Sequence, residues 1–235
     1  MIRMDRMEQS GKEWMPLKKY WQALWLSALV LMGGCHMDEQ KEQPKKWPDT
    51  VAFQDEFTRE FMASTKEVKE GYYLFQSKTD GYTMLFPKDA VVAKWLYERD
   101  GKDFESLAIG WDNEEENLDY SIDLQYEQGE HMEDIETNLY LLSSRAYADY
   151  NGSYMKQEYN DKTIYFAKSQ KDISVDDKHD TEYLFFSYIK SNNSHQGVLF
   201  IYSVNCNDAR KSCQVKVEEE EKTAKMLMRS ITFYD

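Results

Sequence analysis

Positive charge is scarce in this sequence. It has 29 Lys and Arg against 43 Asp and Glu, a formal net charge of −14 over 235 residues. Such a surface is repelled by phosphate polymers, so nucleic acid is not an expected partner. Histidine is also sparse. His36, His131, His179 and His195 show no H-E-x-x-H or Cys/His ligand spacing, so zinc is not expected. The sequence has no G-x-S-x-G and no Gly-rich phosphate loop. Scattered Ser, His and Asp do not make a triad without geometry, and Ser143-Ser144 reads as one side of an amphipathic helix. The many carboxylates alone do not define the paired acids of a glycosidase. These absences lead to the expectation that the chain is not an enzyme and carries no cofactor.

Long apolar runs are confined to one place. Trp21 to Met32 is apolar except for Gln22 and Ser27, and Lys18 and Lys19 precede it. Twelve residues are too few to cross a bilayer core, which needs about 20, but they match the core of a secretory signal. Gly33, Gly34 and Cys35 follow. The segment resembles a bacterial lipoprotein signal ending in a lipobox, with Met32 where Leu is usual. That resemblance implies a diacylglyceryl group on Cys35 and a chain moored to the outer face of the bacterial cell membrane. The acidic residues Asp5, Glu8 and Glu13 do not suit a signal head, whereas Met15 opens a better one, so translation is expected to start at Met15 or residues 1–14 to be dispensable.

Cysteine is limited to three, and two remain after residue 35. Cys206 and Cys213 form an even pair at close spacing, which outside the cytoplasm reads as a disulfide. Closing so small a loop contributes about 2.5 kcal/mol on the chain-entropy model. Without residues 1–34 the chain keeps 24 basic and 40 acidic residues, a charge of −16, so the acyl group rather than attraction to headgroups must hold it.

The expected organisation is a signal peptide over 1–34, a lipidated flexible tether over 35–50 and one globular domain over 51–235. Phe53, Phe57 and Phe61, four apart, predict a helix within 51–69. Lys78-Thr79-Asp80-Gly81 between two aromatic-rich runs predicts a hairpin. Further strands are expected at 94–99, 106–111, 120–126, 154–159, 163–168, 182–190, 197–205 and 230–234. Helices are expected at 132–149 and 214–229, and charged loops at 112–117 and 169–180. The class is α+β, an antiparallel sheet flanked by helices.

Gly81-Tyr82-Thr83-Met84-Leu85-Phe86-Pro87-Lys88-Asp89-Ala90 resembles the opening hairpin of PsbP/Mog1-like domains, and Thr223 to Phe233 is similar to their closing helix and strand. The resemblance implies an α/β/α sandwich and an accessory or binding module, with no active site to carry over. Trp95, Tyr97 and Trp111, on neighbouring predicted strands, are the candidate ligand-binding residues. Aromatic rows stack on sugars or peptide side chains, or else fill a core. Two acidic groups, Asp112 with Glu114 to Glu116 and Asp172 to Asp180, read as solvated loops. The sequence thus points to a non-catalytic binding or scaffolding module for an envelope protein partner, with a receptor for a small ligand or cation as the alternative.

Overall fold

The computed structural model describes residues 46–146, 150–175, 178–208 and 211–234. The expected leader, Met15 and Cys35 lie outside these residues. Trp47 already belongs to the folded part: its ring stacks 5.9 Å from Phe53, and the Arg59 guanidinium lies 5.1 Å from its centroid.

The helix expected over 51–69 is two single turns, α1 (Val51–Gln54) and α2 (Glu56–Arg59). Asp55 interrupts them with an extended backbone, and its carboxylate accepts the Thr58 N–H at 2.6 Å. Asp is a good N-cap, which is why the break falls there. The spacing of the phenylalanines still serves packing, because Phe53 and Phe61 are buried and Phe57 packs on Tyr97. The predicted hairpin forms as β1 (Tyr72–Gln76) and β2 (Tyr82–Pro87), with Asp80 taking the left-handed backbone conformation at φ 61°.

The second sheet is larger. Its strands are β3 (Val91–Val92), β4 (Glu98–Asp100), β5 (Phe104–Asn113), β6 (Leu118–Gln128), β7 (Met155–Glu158), β8 (Lys162–Val175), β9 (Lys178–Ser191) and β10 (Gln196–Cys206). They run in the order β3-β5-β6-β10-β9-β8-β7, with β4 also paired to β5, and every pairing is antiparallel. α3 (Ile135–Arg145) lies between β6 and β7 in the chain, and α4 (Val217–Ser230) precedes β11 (Thr232–Phe233), which joins β2.

Three expectations are corrected. Residues 94–96 form a turn of 3-10 helix rather than strand. The charged stretch 169–180 is largely ladder rather than loop, since β8 and β9 pair from Lys162↔Ser191 to Val175↔Lys178; Asp176 and Asp177 lie outside the described residues. The helix expected from Met132 starts as a short 3-10 turn and becomes α3 only at Ile135. There Asp134 caps it by accepting the Thr137 N–H at 3.1 Å.

Alternation along the strands gives the large sheet two faces. One face builds the main core with α1, α2, the β1-β2 hairpin and α4, through Ile109, Ile122, Phe200, Phe185 and Leu227 among others. The other face is covered in part: Met132, Leu142 and Ala146 pack on Ala167, Leu184, Phe186, Tyr188, Leu199 and Ile201. The fold is therefore a mostly antiparallel sheet with few helices, and not the evenly covered α/β/α sandwich that the sequence suggested.

Candidate functional site

α3 shelters β8, β9 and β10 and leaves β5 and β6 open on the same face. Cross-strand register arranges this open face in rows: Ser106–Gln125–Leu199, Ala108–Asp123–Ile201, Gly110–Ser121–Ser203 and Asp112–Asp119–Asn205. The side chains on β5 are small in the first three rows, so the floor is low there. Ser121 and Ser203 bridge their strands with hydroxyls 2.8 Å apart.

A cleft of about 330 Å³ lies at the first two rows. Ser106, Ala108, Asp123, Leu199 and Ile201 line its floor. Leu96 stands at one side, with Ser144 and Arg145 from the end of α3 at the other. Such a volume is at the small end of ligand clefts. Asp123 is exposed, yet partial desolvation pushes its carboxyl above the usual range; Arg145 opposes the shift and Glu182 adds to it. Asp119 is raised as well, first by desolvation and then by Asp112, which stands directly opposite it. The Ser144 hydroxyl donates to the Tyr140 carbonyl at 3.0 Å, so no base activates it.

The three aromatic candidates do not converge. Trp95 is 83% exposed on the 3-10 turn next to Leu96. Tyr97 packs between Phe57 and Phe61, and its hydroxyl donates to Glu105 at 3.1 Å. Trp111 stacks 5.1 Å from Tyr120 against the main core. Glu105 is fully buried and also accepts from the Tyr82 hydroxyl at 3.0 Å and the Lys78 N–H at 2.9 Å. With every partner a donor from the fold itself, it reads as structural. A half-buried acid on α4, Glu220, accepts from Tyr202 at 2.6 Å, and desolvation raises its carboxyl.

Cys206 and Cys213 are bonded, with Cα atoms 5.9 Å apart. Asp180 lies close to both sulfurs, but disulfide sulfurs are not thiolate ligands, and its carboxylate already accepts the Cys206 N–H at 3.0 Å. In the 112–117 segment, Glu116 pairs with Lys216 at 3.0 Å. The cleft itself was not foreseen. Its sequence signal is the contrast between β10, apolar on both faces from Val198 to Tyr202, and β5, where Ser106, Ala108 and Gly110 alternate with core residues.

Residues 48–232 match the family described as "Putative lipoprotein YvcA", and the chain belongs to it. A Bacillus subtilis (strain 168) protein of that description is 33% identical over 228 residues, covering 87% of this chain and 92% of its own. No solved structure matches the chain. No helix among the described residues is long and apolar enough to cross a membrane.

Proposed function

We propose that the chain is a lipoprotein held at the outer face of the bacterial membrane by acylation of Cys35, and that its domain is a non-catalytic binding module for another envelope component. The lipoprotein description of the family and of its B. subtilis member supports the mooring. Packing begins at Trp47, so the eleven residues 36–46 allow a reach of at most about 40 Å from the acylated position. Two or three acyl chains hold stably where one does not.

The observation that carries the binding reading is the β5–β6 half-face, uncovered among the described residues, with its cleft. The cleft holds two serines, one aspartate and one arginine and no histidine or cysteine, a set suited to holding a ligand rather than to nucleophilic chemistry. The same cleft also favours a second reading, a receptor for a small ligand. A cation receptor has less support, since the acids nearest to ligand spacing are paired or sit beside the disulfide.

Three measurements test the proposal. Cys35→Ser should abolish acyl labelling and move the protein from the membrane to the soluble fraction; retention in the membrane refutes the anchor. Ala108→Trp places a large ring on the cleft floor and should remove the protein's cross-links to envelope components in intact cells. Unchanged cross-links refute this face as the binding face, and turnover of an envelope substrate by the purified chain refutes the non-catalytic reading.

A further inference from the structure

We infer that the cleft takes a small zwitterion of the peptide class, an amino acid or dipeptide, with its ammonium against Asp123 and its carboxylate against Arg145. The inference rests on reading the β5–β6 half-face as the binding face.

Three features of the cleft lead to this ligand class. The first is charge of opposite sign within it, one on the floor and one at a wall. Asp123 stands on β6 and Arg145 at the end of α3, both lining the same space. They sense each other electrostatically, yet they are not joined by an ion pair or hydrogen bond among the described residues. Both side chains are exposed, and a group that bridged them would complete two charge-assisted hydrogen bonds.

The second feature is the surrounding charge. Asp112 and Asp119 lie opposite each other two rows further along the same face, and Glu182 acts on Asp123. A simple anion would be drawn by Arg145 but repelled by these carboxylates. A simple cation would meet Asp123 and leave the guanidinium facing like charge. A zwitterion satisfies both sides at once. The third feature is the apolar surface between the charges. Leu96, Ala108, Leu199 and Ile201 offer a bed for an aliphatic side chain. The volume of about 330 Å³ suits one or two residues and not a folded partner.

Isothermal titration calorimetry on the full-length chain in detergent micelles tests the assignment. The probes are L-alanyl-L-leucine, its N-acetyl derivative and its C-terminal amide. The uncapped dipeptide should bind. N-acetylation or Asp123→Asn should each weaken it at least tenfold, and acetylation should cost nothing further in Asp123→Asn. Amidation and Arg145→Gln should show the same relation. Equal binding of capped and uncapped forms overturns the inference, as does absence of binding to chain whose circular dichroism shows it folded. If the dipeptide fails while Ala108→Trp still removes the cellular cross-links, the ligand class falls and the binding face stands. If the cross-links also survive Ala108→Trp, both fall.

Discussion

Removing the Glu105 carboxylate should destabilise the domain strongly without touching the cleft. Glu105 is 0% exposed and accepts from Lys78 N, Tyr82 Oη and Tyr97 Oη. Hydrogen bonds to a charged acceptor contribute about 1.5–3 kcal/mol each, less the cost of keeping that acceptor out of water. Glu105→Ala leaves the Tyr82 hydroxyl, which is fully buried, without its acceptor, a penalty of about 1–3 kcal/mol. Tyr97 lies nearer the surface and can turn to water. Adding the lost bonds and the space left behind gives about 3–4 kcal/mol for Glu105→Ala. Glu105→Gln keeps the shape and one acceptor, and the tyrosine hydroxyls can reverse to accept from its amide, so it should cost about 1–2 kcal/mol. At roughly 2–4 °C per kcal/mol for a domain of this size, Tm falls by about 6–16 °C for the alanine variant. Urea unfolding with a double-mutant cycle against Tyr97→Phe measures both the loss and the coupling. A Glu105→Ala cost below about 1 kcal/mol, or zero coupling to Tyr97, refutes the structural role and returns Tyr97 to the list of functional candidates.

Other perturbations separate scaffold from open face. The Asp119 carboxyl is raised by desolvation and by Asp112, so it is protonated more readily in the folded chain than in the unfolded one. Its charge therefore opposes folding above its folded pKa and stops doing so below about 3.9, the unfolded value. Asp119→Asn should stabilise by roughly 0.2–1 kcal/mol at pH 7 and by nothing near pH 3.5, as read by urea unfolding at both; an equal gain at both pH values refutes the argument. Gly81→Ala would drive its Cβ into the buried Tyr126 ring and should cost about 1–3 kcal/mol, whereas Gly110→Ala, with its nearest neighbour atom 3.9 Å away, should be tolerated. Reducing Cys206–Cys213 should cost about 2.5 kcal/mol in thermal or urea unfolding, and no change would show the loop to be held by other contacts.

Much of the sheet was legible because its strands obey period two. Tyr120, Ile122, Leu124 and Tyr126 alternate as read, and all four face the main core. The misreadings have physical causes. Residues 169–180 look like a loop because they are charged, but Lys171 pairs across the ladder with Glu182 opposite it, with nitrogen and oxygen 3.3 Å apart. That support is invisible until the partner strand is known. Trp95 and Leu96 look like strand because short apolar runs carry little period information. Tyr97 and Trp111 drew notice as aromatics, yet their rings serve packing, while the cleft is built largely from small residues that advertise nothing. Cys35 stood out in the sequence and lies outside the described residues, so its reading rests on the pattern around it and on the family.

The composition of the open face is itself an argument about use. A half-exposed strand gains most from β-branched or long polar side chains at its water-facing positions. β5 instead presents Ser106, Ala108 and Gly110 there. Glycine inside a strand weakens it by roughly 0.5–1 kcal/mol relative to alanine, and it is expected at a bulge, at a bend, or where something approaches the backbone closely. Gly110 sits in unbroken register between Ser121 and Val91, so there is no bulge. A Cβ there would meet nothing nearer than the Tyr120 carbonyl at 3.9 Å, so the fold does not demand glycine. Longer side chains at 108 and 110 would fill the floor, raise strand propensity and leave the main core untouched. Their absence gives the face its depth beside Asp123 and Arg145.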